Sequence, residues 1–450
     1  MGLSDTDGFG ERLRAARTRR GLSQADLAGP GVSASYVSLI EAGRRQPTRK
    51  AAEHLAAVVG LDADELLTGV SAVKHEQQEL AVRFAELALH QGEARVAREA
   101  FERVLAGELT STLLWRAEHG LARAFEATSQ LADAIDVLEG LAERAALDPA
   151  GAPWLAVTTD LSRCYREAGD LARAGEVAER ALGHARRLGL ADDVGFPTLV
   201  VTWAAASLDK GDLAHASGLL RRLLEAMDEK APARDRGSAL WNAAIVAGEQ
   251  GHFADALLLS ERALALFAEL DNVRATASLR ILQAWVQLED PAGDPAAALP
   301  LLTQARTAFL DAGLAIEAAY AETELAKAEA ALGDGPAAVA WARSSLDRLG
   351  DEGAMEAVRA RLALARALLA TDEAAPAMAE METAAEALHA LSADRQSAAA
   401  WRELAELQAA AGLTDLSTGS FRRALDVLGV PARPALVPAE HSRAGSDGQR

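Results

Sequence analysis

Cysteine is almost absent from this sequence of 450 residues. The one cysteine, Cys164, excludes a disulfide within the chain and a zinc site built from several cysteines. Long hydrophobic runs are missing too: there is no uncharged run of 18 residues and no signal-peptide pattern, so we expect a cytoplasmic protein. Aromatic residues make up only 4% of the chain, but 50% of all residues are hydrophobic, which is enough to bury a large core.

Motifs that carry catalysis are also missing. The nine histidines are scattered and form no H-E-x-x-H pair, and there is neither a phosphate-binding Gly-Lys-Ser/Thr loop nor a G-x-S-x-G sequence. Neighbouring carboxylates occur, but a chain with 66 acidic residues contains them by chance. We therefore predict that the protein is not an enzyme and needs neither a metal ion nor a cofactor.

The basic residues are unevenly distributed. The formal net charge is −20, which argues against a protein that coats nucleic acid, because phosphates need a basic surface. Residues 9–60, however, carry nine Lys/Arg and only four acids, a net charge of +5. The negative charge therefore belongs to the rest of the chain, and only the N-terminal segment has the charge that DNA requires.

The first part of this basic segment shows short helices joined by tight turns. Apolar residues at helical spacing from Phe9 onwards predict a first helix that ends at Gly21. Ser23, with Asp26 three positions later, has the pattern of a capping box. This pattern predicts a short second helix that ends at Ala28.

The second part of the segment continues in the same way. A proline between two glycines at 29–31 must form a turn, and Ser33 is an N-cap for a third helix that ends at Gly43. Thr48 and Asp62 cap a fourth and a fifth helix. Five helices in about sixty residues predict a compact all-α domain. Its second and third helices form a helix-turn-helix, whose second helix is placed to enter the major groove.

Three stretches, "GERLRAARTRRGLSQADLA", "VSASYVSLIEAGRRQP" and "LAAVVGLDADELL", resemble the XRE family of phage-repressor-like regulators in order and length. The resemblance covers residues 9–69 and implies a five-helix, lambda-repressor-like DNA-binding domain. One feature departs from the family pattern. Only three residues separate Ala28 from Val32, where the family usually has four, so the loop is shorter and the third helix can enter the groove at a different angle.

The resemblance also implies which residues contact DNA. Gln24 would contact a phosphate or a base, small residues at the start of the third helix would read base edges, and basic residues behind it would hold the DNA backbone. An alternative for these residues is structural: Ser33 can be only a cap, Tyr36 can belong to the core, and the arginines can be solvated surface. The predicted DNA contacts are Gln24, Ser33, Ala34, Ser35, Ser38, Arg44, Arg45, Arg49 and Lys50.

After Gly69 the sequence repeats itself. Seven segments share a glycine, a small residue five positions later and an apolar or small residue seven positions beyond that, and weaker copies fit at Ser129 and near Thr371. Steps of about 40 residues predict an α-solenoid of about nine helical hairpins, similar to tetratricopeptide repeats (TPR), which are nominally about 34 residues long. The glycines are Gly92, Gly169, Gly211, Gly251, Gly293, Gly333 and Gly412.

The first helices of such a solenoid line a groove that binds an extended peptide or a partner helix. Asn242, one of only two asparagines, falls where this fold often turns an amide towards the ligand backbone, and Trp241 lies beside it. The alternative is again structural, because tryptophan at a hairpin is usually core and arginine on a helix is usually solvated. The predicted groove residues are Arg123, Arg163, Arg166, Trp241, Asn242, Lys327 and Arg402.

These segments define the predicted organisation: a flexible N-terminus (1–8), a DNA-binding domain (9–69), a TPR-like domain (75–430) and a disordered tail (431–450) rich in proline and polar residues. The layout is similar to that of the RRNPP peptide-sensing regulators.

Two functions fit this organisation. In the first, the protein is a dimeric, sequence-specific transcriptional regulator that binds a double-stranded DNA operator, and a peptide or protein ligand in the groove controls the spacing of the two DNA-binding domains. In the second, the TPR array is a scaffold for a protein partner, and DNA binding is secondary or lost.

Overall fold

The structure is a computed structural model that describes residues 8–68, 72–107, 109–147, 154–189, 195–228, 230–350, 353–391 and 395–428. Residues 1–7 of the predicted flexible N-terminus and the predicted disordered tail, 431–450, lie outside the described residues. The chain divides into two compact units, Met1–Ala206 and Ser207–Arg450. Helices account for the regular secondary structure of the described residues, apart from one isolated bridge, and the all-α fold class is therefore confirmed.

The basic N-terminal segment forms four short helices around one core. Ser33 caps the second and Thr48 the third: their hydroxyl oxygens accept hydrogen bonds from the N–H groups of Tyr36 at 3.1 Å and Ala51 at 3.3 Å. The core contains apolar side chains from all four helices and from the turns between them. The helices are α1 (Phe9–Arg19), α2 (Ala34–Glu41), α3 (Arg49–Val59) and α4 (Ala63–Thr68).

The predicted second helix is wrong. Residues 23–28 form a series of turns, whose backbone bonds run from Asp26 to Ser23 at 3.2 Å and from Ala28 to Ala25 at 3.1 Å, three residues apart instead of four. The capping box itself is present, because the Asp26 carboxylate accepts hydrogen bonds from the N–H and the hydroxyl of Ser23, both at 2.7 Å. The Gly-Pro-Gly sequence that follows directly prevents the chain from continuing as a helix, and the segment remains in tighter turns.

The Gly-Pro-Gly turn is as tight as the sequence predicts. Gly29 and Val32 exchange two backbone hydrogen bonds of 2.8 and 3.0 Å, which makes the only isolated bridge among the described residues. Gly31 has a φ of 80°, a left-handed conformation that glycine adopts without strain. The turn therefore places the start of α2 directly after a closed four-residue loop.

The rest of the described chain consists of consecutive helix pairs. In most of these pairs the two helices pack on each other, and several first helices also contact the first helix of the next pair. The helices that begin in the first unit are α5 (Ala72–His90), α6 (Ala94–Leu105), α7 (Ser111–Ala127), α8 (Leu131–Leu147), α9 (Trp154–Glu167), α10 (Leu171–Arg187) and α11 (Gly195–Asp209).

The second unit continues the same arrangement. Among the described helices, none is long and apolar enough to cross a membrane. The helices of this unit are α12 (Leu213–Ala226), α13 (Ala233–Glu249), α14 (Phe253–Glu269), α15 (Val273–Glu289), α16 (Pro295–Asp311), α17 (Ala315–Leu332), α18 (Gly335–Leu349), α19 (Ala354–Ala370), α20 (Ala374–Ala390), α21 (Arg395–Ala410) and α22 (Thr414–Val427).

The repeated glycines end the first helices, as predicted, with one exception. Six of them have positive φ values, whereas Gly293 follows a different loop and does not. Where the weaker repeats lack glycine, Ser129 and Asp372 take the same left-handed conformation, with φ of 59° and 61°. The predicted small residues that let the second helix approach closely are fully buried: Ala97, Ala174, Ala216, Ala256, Ala298 and Ala338.

One buried acid joins three helices of the second unit. The side chain of Glu322, on α17, is 0% exposed, and its carboxylate accepts hydrogen bonds from Arg306 at 2.6 Å, Arg348 at 2.9 Å and Ser344 at 3.1 Å. Burial raises the pKa of Glu322, but the two arginines outweigh it and hold the pKa below its usual range. The carboxylate therefore stays charged and ties α16 and α18 to α17.

Candidate nucleic-acid interface and ligand groove

The first turns of α2 present small side chains to solvent. Ser33 caps the helix, while Val37 and Ile40 are buried in the core. This orientation turns the opposite side of the helix outward, with hydroxyl groups near its start and one large apolar side chain further along. We call this the recognition surface; it consists of the exposed Ser33, Ser35, Ser38 and Leu39 and the half-buried Ala34.

Gln24 is held beside the recognition surface by Glu41. The Gln24 amide donates a hydrogen bond to Glu41 Oε2 at 2.8 Å, and Arg17 forms a two-point ion pair with the same carboxylate at 2.6 and 3.0 Å. Burial raises the pKa of Glu41, but the hydrogen bonds from Arg17 and Gln24 hold it below its usual range. The charged Glu41 thus fixes α1, the turns before α2 and α2 itself to one another.

Four basic side chains lie exposed just beyond α2. The Arg45 guanidinium stacks over the Tyr36 ring at 5.1 Å, so Tyr36 both packs on the core and supports a cation. Arg49 forms an ion pair of 3.2 Å with Glu53, in which both side chains are largely exposed. Such a pair contributes little to stability, so Arg49 can exchange Glu53 for a phosphate. We call these side chains the basic group: Arg44, Arg45, Arg49 and Lys50.

This arrangement agrees with a comparison to known families. A family model described as a helix-turn-helix domain matches residues 9–68. Residues 9–68 are a helix-turn-helix domain. A relative from Deinococcus deserti, the HTH-type transcriptional regulator DdrOP3, is 41% identical over 61 residues, which are 13% of this chain and 47% of the relative. The chain thus spans about half the length of this relative, and the similarity concerns the helix-turn-helix domain.

The predicted groove residues of the first unit meet on the first helices of two neighbouring pairs. On α9, Arg163 donates hydrogen bonds to Glu126 at 2.8 Å and to Asp160 at 2.9 Å. Asp160 also lies 2.7 Å from His119 Nε2, and the charge of the exposed Arg123 acts on it. Burial raises the pKa of Asp160, but His119 and the two arginines outweigh it and lower the pKa. The structure therefore brings Arg123 and Arg163 together around Asp160.

Arg166 lies on the last turn of α9, where it is half-buried. Its charge lowers the pKa of the neighbouring Glu167, although burial dominates and the pKa of Glu167 is raised overall. The adjacent Cys164 is fully buried, and burial raises its pKa to about 12, so that the thiol is neutral at physiological pH. Arg166 thus lies one turn after Arg163 on the same helix and is half-buried, as Arg163 is.

In the second unit, Lys327 and Arg402 surround a group of carboxylates on α15, α17 and α21. Lys327 donates a hydrogen bond to Glu324 at 2.7 Å. Burial would lower the pKa of Lys327, but Glu324 and Glu403 raise it overall. Burial raises the pKa of Glu289, and the charges of Lys327 and Arg402 partly offset this. The first helices of the second unit therefore carry both acidic and basic side chains, and the two kinds of charge offset each other.

Trp241 and Asn242 have mainly structural contacts. The Trp241 and Phe267 rings pack edge to face, with 6.1 Å between their centroids, and Trp241 packs against a core cluster. These contacts agree with the structural alternative for Trp241 given in the sequence analysis. The Asn242 amide donates a hydrogen bond of 2.9 Å to the Ser238 carbonyl on its own helix. Both side chains are half-buried. Neither has a described contact with the charged residues of the groove.

The fold of the solenoid is similar to that of two solved structures. A structure titled as a Rap protein complexed with Competence and Sporulation Factor has a TM-score of 0.54 and 13% identity, and the match covers 78% of this chain and 98% of that one. The apo form of RapI has a TM-score of 0.51 and 12% identity over 78% of this chain and 97% of its own. At this identity the similarity establishes the fold alone, a TPR-like solenoid.

Sequence reasoning missed the ion pairs that join successive repeats. In several of these pairs the two residues are 37 positions apart in the sequence. This separation is about one helical turn shorter than a repeat of about 40 residues. A search for opposite charges at this separation would have found them. The pairs are Glu79 with Arg116, Glu126 with Arg163, and Arg366 with Glu403.

Proposed function

We propose that the protein is a dimeric, sequence-specific DNA-binding transcriptional regulator whose solenoid binds a peptide or protein ligand. One observation carries the DNA-binding part. The recognition surface of a helix-turn-helix domain is exposed, and the basic group lies directly beyond it. Small hydroxyl and methyl groups read base edges at close range, while exposed arginines and a lysine hold phosphates.

The DNA-binding part is tested by selection on random duplexes with the full-length protein. We expect enrichment of one sequence in two copies whose centres lie about 34 Å apart or a multiple of that, because each domain reads one half-site. Affinity for the enriched duplex should fall steeply with salt, with a logarithmic slope of about −0.9 for each phosphate neutralised. A pool without enrichment, in the presence or absence of cell extract, would contradict the proposal and favour the scaffold function.

The ligand-binding part rests on the first helices of the solenoid. Their charged residues compensate one another within a helix, as in Arg163 with Asp160 and Lys327 with Glu324, and Arg163 also pairs with Glu126 on the neighbouring first helix. A charged peptide can take the place of one of these partners. The similar Rap protein was solved in complex with Competence and Sporulation Factor, and by analogy we assign ligand binding to this solenoid. Lys327 and Arg402 supply positive charge there for an acidic group of the ligand.

The ligand-binding part is tested on an array of random short peptides. Lys327→Glu should shift the preferred peptides away from acidic sequences, because it reverses the charge in the groove. Lys210→Glu is the matched control, since Lys210 is exposed at the turn after α11 and away from the first-helix contacts. Equal peptide preferences for both variants and the wild type would contradict the assignment of the groove.

The second candidate function remains a TPR scaffold that binds a protein partner. It is favoured by the extent of the two comparisons, because the solenoid similarity covers 78% of the chain and the helix-turn-helix relative matches only 13%. The duplex selection separates the two functions, since a scaffold binds peptides on the array without enriching any duplex.

A further inference from the structure

Helix α5 carries a row of large apolar side chains that no described residue covers. Leu80, Phe84 and Leu87 are 69%, 54% and 55% exposed, and their spacing of four and three residues places them on one face of the helix. Single exposed apolar residues are common on protein surfaces, but a contiguous row marks a contact surface.

The same positions are buried or half-buried in the other repeats that end in a left-handed residue. Each of the first helices in this comparison is followed by a residue in the left-handed conformation, which is Gly92 for α5. Leu80, Phe84 and Leu87 lie 12, 8 and 5 positions before Gly92. In α9 the equivalent residues are Val157, Leu161 and Cys164, all at most 4% exposed. In α17 and α19 they are also buried: Ala321, Leu325, Ala328, Ala360, Leu364 and Ala367.

These positions are buried because the preceding helix pair packs on them. Helix α5 begins the array and has no preceding pair. The terminal surface of a repeat array normally turns polar, because it faces water. The row on α5 is instead larger than its covered equivalents, with leucine at both positions where α17 and α19 have alanine. This surface therefore has the composition of one that a partner covers.

The order of residues along this face shows which partner fits. Gln77 and Gln91, both exposed, extend the row to Gln77, Leu80, Phe84, Leu87 and Gln91, with the alternating steps of three and four that form a coiled-coil seam. The order amide, leucine, phenylalanine, leucine, amide reads the same in both directions. In a two-fold interface between identical antiparallel helices, such an order places chemically similar side chains opposite one another along the whole row.

The charges beside the row agree with this pairing. When two α5 helices are placed antiparallel with Phe84 at the centre, the exposed Glu76 lies close to His90 of the partner subunit. An acid therefore meets a base at each end of the pair. Arg83, at the centre, already forms an ion pair of 2.9 Å with Glu79 of its own helix, which reduces repulsion between the two copies. On the other flank, the half-buried Ala81 is small and permits close approach of the helices.

We propose that two copies of this chain dimerise through α5, packed antiparallel with Phe84 on the two-fold axis. The pairing lies at the start of the array, a few residues after the helix-turn-helix domain in the sequence, and would link two DNA-binding domains. Only this link between two DNA-binding domains rests on the proposed function; the dimer interface does not. The interface itself is tested without DNA, so that its failure and the failure of DNA binding are distinguishable.

The first test is the molar mass of the full-length protein as a function of concentration, by sedimentation or light scattering. The wild type should be a dimer, and Phe84→Glu should dissociate it with an affinity roughly a hundredfold weaker, because a buried charge replaces a central aromatic side chain. Leu258→Glu is the matched control: Leu258 is 55% exposed on α14 and should not affect the mass. Phe84 is exposed in the single chain, so the melting temperature of the dissociated variant should show an intact fold.

The second test identifies the geometry by cysteine cross-linking. Phe84→Cys should form a disulfide-linked dimer on mild oxidation, whereas Leu258→Cys should not, and the buried Cys164 gives no background. A mixture of Leu80→Cys and Leu87→Cys should cross-link more than either variant alone, because the antiparallel arrangement brings these positions together.

Three results would overturn the proposal. One is a monomeric wild type, and another is a dimer that Phe84→Glu leaves intact. The third is an assembly broken by Phe421→Glu and not by the α5 variants, because Phe421, Leu425 and Leu428 form the exposed apolar surface of the last described helix, α22. That result would assign the contact to the other end of the array.

Discussion

The basic group of the helix-turn-helix domain and the arginines that join repeats of the solenoid are in opposite environments. In the solenoid, Arg163 and Arg366 are fixed by carboxylates of a neighbouring repeat, at 2.8 Å from Glu126 and Glu403 respectively. In the helix-turn-helix domain, the basic group is exposed, and Arg45 rests on an aromatic ring instead of an acid. The positive charge of the solenoid is thus used within the protein, while that of the basic group faces solvent.

This difference explains how a chain with a net charge of −20 can present a DNA-binding surface. The solenoid compensates its cations locally and carries the excess of acids. The basic group lies in residues 9–60, where nine cations outnumber four acids. A phosphate backbone experiences this local field more strongly than the distant net charge, which salt screens beyond about 8 Å at physiological ionic strength. The predictions below separate structural cations from those available to DNA.

The largest effect is expected when a structural ion pair loses its acid. Glu322→Ala leaves Arg306 and Arg348 without their shared carboxylate in a buried site. The two guanidinium groups that remain are 26% and 25% exposed, so water compensates them in part, and the loss of these charge-assisted hydrogen bonds should cost about 1.5–3 kcal/mol. We expect this decrease in the free energy of unfolding of the second unit, measured by chemical denaturation.

The matched control for this change is Glu382→Ala, which removes an exposed acid of α20. A surface substitution of this kind should change the free energy of unfolding by less than about 0.5 kcal/mol. If both variants unfold alike, Glu322 is not a structural residue and the contrast between the solenoid and the helix-turn-helix domain is lost.

The next effect concerns the exposed cations. The double variant Arg44→Ala, Arg45→Ala should weaken DNA binding and reduce the logarithmic salt slope by about 2, because two phosphate contacts are lost. Its matched control is Arg422→Ala, Arg423→Ala, which removes another exposed arginine pair, on α22. The control should bind DNA with the wild-type slope. Salt slopes measured by fluorescence anisotropy that change equally in both variants would contradict the assignment of the basic group.

Acid should destabilise the solenoid through the same structural ion pairs. The folded-state pKa of Asp160 is lowered, so its ionised form stabilises the fold above the pKa of the unfolded chain, about 3.9, and this contribution is lost as the pH falls through the lowered value. Denaturation at several pH values should therefore show a smaller loss of stability below pH 4 for Asp160→Asn than for the wild type. The exposed Asp133 is a suitable control, since Asp133→Asn should retain the wild-type acid dependence.

Local sequence patterns predicted much of the fold, whereas contacts between repeats were harder to predict. Ser33 was identified as a cap because an N-cap depends on the residues that follow it directly, and the structure confirms the hydrogen bond. The segment from Ser23 to Ala28 has a capping box but forms only turns, because its length and the following proline limit the helix. The partner of Arg163 depends on how two repeats align, which no local pattern contains.

The recognition surface combines both kinds of evidence, because one of its serines has a structural role and another does not. Ser33 caps α2, so Ser33→Ala should decrease the free energy of unfolding of the helix-turn-helix domain by about 1 kcal/mol. Ser35 is exposed on the next turn, and Ser35→Ala should leave stability within about 0.5 kcal/mol of the wild type.

For DNA binding we expect the reverse order of effects, with Ser35 more important than Ser33. If the Ser35 hydroxyl contacts a base edge, its removal costs about 1 kcal/mol in discrimination between the enriched duplex and a duplex changed at one position, because a single hydrogen bond is lost. Affinity for unrelated DNA should not change, since the basic group supplies it. A Ser35→Ala variant that weakens binding to all duplexes equally would place Ser35 against the DNA backbone, and sequence readout would then fall to Ser38, Ala34 and the exposed Leu39.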